Sequence, residues 1–208
     1  MKTVILRAFR RGAVSGGIAV ALVSSGTALF SAAAPGVPPV SNEEGLAAFE
    51  TVRAVLQHPR CQNCHIPGDA PLQFDAGLVH EQNVVRGPEG KGAPGLACST
   101  CHGTANPPAS YGEHMPPGAP NWRLPPPERK MIFIGLPSEE LCRRLKDKRE
   151  NHGMDLEALL RHVASDKLVL WGWSPGAGRA PVSVSHEEFV AKFKTWMDAG
   201  APCAVASR

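Results

Sequence analysis

Two five-residue runs constrain this chain more than any other feature of its sequence. Residues 61–65 and 98–102 both read Cys-x-x-Cys-His. This spacing is typical of c-type haem attachment, in which two thiols form thioethers with the porphyrin and the adjacent histidine binds the iron. The sequence therefore predicts two covalently bound haem c groups. Their thioether residues would be Cys61, Cys64, Cys98 and Cys101, and their proximal iron ligands would be His65 and His102.

A zinc site is the main alternative for the four cysteines. Two Cys-x-x-Cys pairs can close a tetrahedral four-thiolate centre. Such a centre has no use for a histidine directly after each pair, whereas haem attachment requires one. The haem hypothesis accounts for both histidines, and the zinc hypothesis does not.

The amino terminus has the pattern of an export signal. An apolar stretch of small residues over 12–30 is followed by further small residues at 31–34. The stretch is preceded by a basic head that contains Lys2, Arg7, Arg10 and Arg11. The pattern predicts a signal peptide over residues 1–33 and a periplasmic protein. The alternative is an apolar stretch retained as an N-terminal membrane anchor, which would place the protein at a membrane.

The positive charge of the chain belongs to this leader. The whole chain carries 22 Lys+Arg and 19 Asp+Glu, for a net charge of +3. Residues 1–33 hold four of the cations and no acidic residue, which leaves 18 Lys+Arg against 19 Asp+Glu. The expected mature protein is near neutral, which argues against nucleic acid as a partner.

Composition divides the rest of the chain. Residues 34–45 have the composition of a Pro-rich linker, and apolar residues at helical spacing predict a helix from Leu46 to Gln57. Residues 59–137 contain 14 of the 20 prolines, a composition typical of irregular backbone. Because an attached haem is a large apolar body, such backbone can pack on it. We therefore expect residues 46–136 to form a dihaem cytochrome c region.

Residues 137–208 carry the signals of three amphipathic helices. We expect helices to start at Ser138, after Asp155, and at Ser185, where Ser185 and Glu188 have the spacing of a capping box. The predicted fold class is all-α with extensive irregular loops. It consists of a dihaem cytochrome c lobe and a small three-helix carboxy-terminal lobe.

Two cysteines, Cys142 and Cys203, are left over by the haem motifs. In an oxidising compartment an even remainder predicts a disulfide, which would tie the first carboxy-terminal helix to the chain end. Two inert buried thiols are the alternative.

The sixth ligand of each iron decides the function. His65 and His102 supply one axial position each, and the other can be His, Met or open. The best-placed candidates are His80 and Met131. His80 lies in the loop after the first motif, and Met131 follows the proline run, where it could serve the second haem.

Other histidines and methionines are further candidates. His58 lies three residues before Cys61 and reaches a neighbouring haem more easily than its own. His114 lies in a loop after the second motif, and Met115-Pro116-Pro117 is similar to the Met-Pro ligand loop of single-haem cytochromes c. More distant candidates are His152, Met154, His162 and His186. The position of His162 inside an amphipathic helix favours a surface or core role.

The paired motifs, the leader and the loop-rich segment resemble those of dihaem cytochromes c. More narrowly, residues 58–65, 117–122 and 171–173 resemble cytochrome-like subunits of isoquinoline 1-oxidoreductase-type molybdenum hydroxylases. The resemblance covers residues 46–203 and implies a cytochrome that accepts electrons from a molybdenum and iron–sulfur dehydrogenase. The sequence has no molybdopterin or iron–sulfur motif, so the implied role is electron transfer beside a catalytic partner.

These observations favour an exported electron carrier over an enzyme. We expect it to pass electrons from a periplasmic or membrane-associated dehydrogenase to a cytochrome or oxidase of the respiratory chain. The alternative is a dihaem redox enzyme of the peroxidase type. Such an enzyme needs one iron with an open distal position and an acid or base beside it, and no such distal pair stands out in the sequence.

Overall fold

Helices are the main regular elements of the structure, a computed structural model that describes residues 39–205. The predicted leader, residues 1–33, lies outside the described residues. The α-helices of the described part are α1 Asn42–Leu56, α2 Pro59–Gln62, α3 Ser138–Lys146, α4 Leu156–Ser165, α5 Lys167–Leu170 and α6 His186–Asp198. Within this part, no helix is long and apolar enough to cross a bilayer.

Helix α1 begins at Asn42, before the start of its apolar pattern at Leu46. Ser41 Oγ accepts a hydrogen bond from Glu44 N at 3.2 Å, and Glu44 Oε2 accepts one from Ser41 N at 2.8 Å. This capping box satisfies two N–H groups at the helix start. Residues 42–45, which composition assigned to a linker, are therefore helical.

The three helices predicted in the carboxy-terminal part are confirmed as α3, α4 and α6. Asp155 Oδ1 caps α4 by accepting a hydrogen bond from Ala158 N at 2.7 Å. Ser185 Oγ accepts one from Glu188 N at 3.1 Å, which is one half of the predicted capping box. Gly200 follows α6 with a φ of 83°, a left-handed conformation that glycine adopts without strain. These residues fix where the helices begin and end.

One hydrophobic core joins α1 to the carboxy-terminal helices. Phe49 of α1 meets Trp196 of α6 with ring centroids 5.0 Å apart, and both side chains are fully buried. Leu141 of α3 and Leu159 of α4 belong to the same core. Full burial of one such side chain contributes about 1.5–3 kcal/mol. The predicted boundary between residues 136 and 137 therefore does not separate two packing units.

A disulfide bond joins Cys142 to Cys203, which confirms the pairing predicted from the cysteine count. The two Cα atoms are 5.5 Å apart. Trp196 Nε1 also donates to the Pro202 carbonyl at 2.9 Å, and Lys146 Nζ donates to the Ala201 carbonyl at 2.7 Å. Together these bonds hold the chain end against α3 and α6.

The proline-rich segment between α2 and α3 has little regular structure. It contains two antiparallel hairpins of two-residue strands. They are β1 Leu72–Gln73 with β2 Leu78–Val79, and β3 Gly92–Ala93 with β4 Leu96–Ala97. The prediction of irregular backbone, made from the prolines, is confirmed for this segment.

A buried arginine ties this irregular backbone together. Arg86 is 1 % exposed, and its guanidinium donates to the carbonyls of Ile66 and Gly68 at 3.2 and 2.9 Å. It also donates to the Pro125 carbonyl, and its Nε lies 3.3 Å from the Asp69 carboxylate. Arg86 thus connects the segment after the first motif to the proline run.

Candidate haem sites

The first Cys-x-x-Cys-His run is wound into a helical turn. Helix α2 supplies Cys61, and Cys64 N and His65 N both donate to the Cys61 carbonyl, at 3.2 and 3.3 Å. Side chains three and four residues apart share one face of such a turn. The two thiols and the imidazole accordingly line one cavity.

His65 is fixed through its Nδ1 atom and its ring face. Its Nδ1–H donates to the Met131 carbonyl at 2.7 Å, and the ring stacks on Phe133 with centroids 3.9 Å apart and 10° between the planes. This tautomer leaves a free lone pair on Nε2, as in metal-binding histidines. Burial lowers the pKa of His65 to about 4, so the imidazole is neutral at physiological pH.

The second run repeats this arrangement with different residues. His102 N donates to the Cys98 carbonyl at 3.0 Å, which closes the turn. The Nδ1–H of His102 donates to the Pro117 carbonyl at 2.7 Å, and the ring stacks on Trp122 with centroids 4.5 Å apart and 7° between the planes. Burial lowers the pKa of His102 as well. In both runs a carbonyl orients the imidazole, an aromatic ring fixes its plane, and Nε2 is free to bind a metal.

The cavity beside the first run has the size and character of a cofactor pocket. Its volume is about 400 Å³, within the range of about 300–1,000 Å³ typical of such pockets. Apolar side chains form much of its wall, among them Leu56, Leu145, Leu159, Trp173, Phe189 and Phe193. The helical core therefore provides an apolar chamber directly against the first motif.

The surroundings of the first two thiols disfavour the thiolate form of the free cysteines. Burial raises the pKa of Cys61 to about 12 and that of Cys64 to about 11. Among residues 39–205, no three His, Cys, Asp or Glu side chains gather where they could hold a metal ion.

A buried arginine in the cavity wall has a donor to spare. The Arg60 side chain is 3 % exposed, and one of its terminal nitrogens binds the Asp75 carboxylate. Its guanidinium carbon lies 5.7 Å from the centroid of the Trp171 ring. The Nε atom is buried and has no acceptor among the described residues. A haem propionate is a carboxylate that accepts such a bond, so Arg60 fits a haem at this position.

The ring of His80 lies near that of His102 of the second motif. Their ring centroids are 6.2 Å apart, with 65° between the planes. Two imidazoles that bind one metal ion from opposite sides, through metal–nitrogen bonds of about 2.0 Å each, have centroids about 6 Å apart. The His80 Nδ1–H donates to the Glu81 carbonyl at 2.9 Å, which leaves Nε2 free. His80 follows the first motif in sequence, but its ring lies beside the histidine of the second.

Met131, the other best-placed candidate, lies beside the first motif. It is 5 % exposed, it lines the same cavity as His65, and its carbonyl is the acceptor for His65 Nδ1. Its backbone therefore has an orienting role at the first motif, whereas the sequence pattern associated it with the second haem.

The two alternative candidates lie elsewhere. His58 is the N-cap of α2, where its Nδ1 accepts a hydrogen bond from Arg60 N at 3.2 Å. His114 is exposed, and its ring meets the edge of Phe74 with centroids 5.3 Å apart. Neither residue is part of the cavity wall beside His65.

The two motifs share a wall. Trp122, which stacks on His102, also lines the cavity beside the first motif. Its ring meets Trp171 edge-on, with centroids 4.9 Å apart. Asn106 Oδ1 accepts hydrogen bonds from Trp171 Nε1 and from Gly118 N, both at 3.0 Å. These contacts join the turn that carries Trp171 to the segment that orients His102.

Sequence reasoning missed the groups that hold the two proximal histidines. Each acceptor is a backbone carbonyl, which every residue possesses and no motif marks. His162, a more distant ligand candidate for which the sequence favoured a surface or core role, is 40 % exposed and lines the first cavity together with His152 and Met154. The spacing of His162 from Leu159 and Val163, on one stripe of α4, is the signal that could have indicated this.

No family model, curated protein or solved structure matches this chain.

Proposed function

We propose that this protein is an exported dihaem cytochrome c that carries electrons between partner proteins. The observation that carries the proposal is the repeated environment of His65 and His102. Each follows a Cys-x-x-Cys pair, and each has its Nδ1–H bonded to a backbone carbonyl at 2.7 Å. Each also stacks on an aromatic ring. Two unrelated local sequences converge on the orientation that an axial haem ligand requires.

Covalently attached haem supplies one-electron redox chemistry at iron. Cys61 and Cys64 would hold one haem, and Cys98 and Cys101 the other. The proximal ligands would be His65 and His102, and His80 would be the second axial ligand of the haem attached at the second motif.

Other residues of the first site would orient the haem and exclude water from it. Arg60 would offer its free Nε to a propionate of the first haem. Apolar side chains of α4 and α6 surround the first site, and low polarity around a haem is one of the means by which a protein sets its reduction potential. Trp122 contacts both sites, so the two haems would lie close together. A short path for electrons requires this.

The partners we propose are redox proteins. The donor would be a periplasmic or membrane-associated dehydrogenase, and the resemblance of residues 46–203 to cytochrome subunits of molybdenum hydroxylases favours one of that type. The acceptor would be a cytochrome or an oxidase. Both remain proposals that rest on the resemblance and on the chemistry of haem.

The proposal is tested by producing the full chain in a host that attaches haem in the periplasm. We expect two haems per chain by pyridine haemochrome assay, and a haem-stained band on a denaturing gel. Replacing Cys98 and Cys101 by Ser should leave one haem. The matched control, replacement of Cys142 and Cys203 by Ser, should leave two. Absence of covalent haem in the unaltered chain would overturn the proposal.

A carrier and a peroxidase-type enzyme differ in how the reduced irons are ligated. If both irons have two protein ligands, the reduced protein does not bind carbon monoxide rapidly. Rapid binding at one haem, together with turnover of hydrogen peroxide, would favour the enzyme instead.

A further inference from the structure

The first cavity carries more than one side chain that could face His65 across a haem. His152, Met154 and His162 all line it. We propose that His162 is the sixth iron ligand at the first motif and that Asp166 holds its imidazole in the ligating orientation. The inference rests on the proposed function, since it assumes that a haem is attached at Cys61 and Cys64.

The position of His162 on α4 supports this assignment. Leu159, His162, Val163 and Asp166 all line the cavity, and spacings of three, four and seven residues place them on one helix face. Leu159 and Val163 are 4 % and 7 % exposed. The stripe that packs towards the haem chamber therefore includes an imidazole at its centre. The His162 side chain is 40 % exposed, so this histidine is not enclosed in the core.

Asp166 is itself fixed. It is the N-cap of α5, where its Oδ1 accepts hydrogen bonds from Leu168 N at 2.8 Å and Val169 N at 3.4 Å. The other oxygen, Oδ2, lies 3.4 Å from His162 Nδ1. A carboxylate anchored by a helix cap thus lies within ion-pair distance of His162 Nδ1, without a hydrogen bond between them, and Nε2 is the atom left for a metal.

At the other proposed iron ligands Nδ1 is likewise next to an oxygen, at the shorter distance of a hydrogen bond. His65, His102 and His80 each direct Nδ1 to an oxygen, at 2.7, 2.7 and 2.9 Å. Metal-binding histidines almost always use the second ring nitrogen in this way. Histidines outside the sites differ. His58 uses Nδ1 as an acceptor at a helix start, and His186 engages Nε2 with the Val163 carbonyl at 2.9 Å.

The rival side chains have different surroundings. His152 is exposed, lies in a turn with a φ of 65° and has a hydrogen bond to the Arg129 backbone. Met154 packs against the hydrophobic core, and Asn151 Nδ2 donates to its carbonyl at 2.9 Å. Asn151 also donates to the Leu145 carbonyl at 2.7 Å, so this bend is held in place by the core. Only His162 among the three has a carboxylate beside Nδ1 in the described structure.

The test uses the full haem-loaded chain and the His162→Ala variant. We expect His162→Ala to convert one of the two haems from low-spin to high-spin in the ferric state, as read by electron paramagnetic resonance. The reduced variant should bind one carbon monoxide per chain, where the unaltered protein binds none. Added imidazole should restore the low-spin signal. The controls are His152→Gln and Met154→Leu, which should leave both haems low-spin.

Two results would overturn the assignment. One is His162→Ala with both haems still low-spin. The other is loss of a low-spin signal in the Met154→Leu or His152→Gln variant. If His162→Ala fails to accumulate, His162→Met is the second variant. It preserves a ligand, so it should fold and replace one bis-histidine charge-transfer band by a His–Met band near the red edge of the visible spectrum. A His162→Met spectrum identical to that of the unaltered protein would also count against it.

Asp166→Asn separates orientation from folding. Asn can keep the α5 cap through its amide oxygen, but it removes the negative charge beside His162. We expect both haems to stay low-spin and the potential of one haem to rise, with the thermal transition unchanged. An unchanged potential would show that Asp166 has only a structural role. Complete absence of haem from every variant and from the unaltered chain would instead refute the proposed function.

Discussion

The imidazole of His102 lies parallel to the indole of Trp122, with ring centroids 4.5 Å apart and 7° between the planes. Trp122 also lines the cavity beside the first motif. Trp122 therefore touches a proximal histidine of one proposed haem and forms part of the chamber for the other.

The first prediction concerns this stack. Trp122→Leu should reduce the free energy of unfolding by about 1–3 kcal/mol, because it removes an aromatic stack and part of a cavity wall. It should also change the electron paramagnetic resonance signal of the second haem, since the plane of His102 is no longer fixed. Trp122→Phe should retain most of both properties. Tyr111→Leu is a control at an exposed aromatic, which is 68 % accessible, and should change neither.

A second prediction concerns the pair formed by His80 and His102. If His80 is the second axial ligand at the second motif, His80→Ala should make one haem high-spin and open it to carbon monoxide. His114→Ala is the matched control, because His114 is exposed and packs on Phe74. Visible and electron paramagnetic resonance spectra of the two variants measure the spin state of each haem. A low-spin His80→Ala protein would exclude His80 as a ligand.

The third prediction concerns Arg86, the buried tie of the proline-rich segment. Arg86→Met should lower the free energy of unfolding by about 1–3 kcal/mol, because it leaves three carbonyls, one of them buried, without their donor. Urea denaturation followed by tryptophan fluorescence measures this. Arg129→Met, at an exposed position, should change stability by less than about 0.5 kcal/mol. Equal effects of the two substitutions would contradict the role given to Arg86.

The fourth prediction concerns the disulfide. Replacing Cys142 and Cys203 together by Ala should cost about 4 kcal/mol, because the bond closes a long loop of the unfolded chain. The haem content should stay at two per chain, since neither cysteine belongs to a haem motif. Denaturation in urea gives the first quantity, and a haemochrome assay gives the second. Loss of haem from this variant would show that the bond is needed for attachment.

Local sequence signals predicted much of the regular structure. The cap at Asp155, the start at Ser185 and the pairing of Cys142 with Cys203 were all correct, because each depends on chemistry that a few residues express. The start of α1 was placed too late. Its apolar stripe begins at Leu46, whereas the helix begins at Asn42 after the Ser41 capping box.

Long-range contacts could not be read from the sequence in the same way. The Met131 carbonyl that orients His65 is 66 residues away in the chain, and the Pro117 carbonyl is 15 residues from His102. A carbonyl acceptor leaves no mark in composition, so only the folded backbone reveals it. Likewise, the loop after the first motif carries His80 across to the second motif, which the order of residues does not indicate.

We propose that two haems are covalently attached at the two Cys-x-x-Cys-His runs. The most direct measurement is the intact mass of the purified, fully denatured chain after expression with the periplasmic haem-attachment system. We predict the mass of the polypeptide plus two haems, with both located by proteolysis on the peptides that contain residues 61–65 and 98–102. A chain of unmodified mass, or one that binds zinc through the four free thiols, would contradict it.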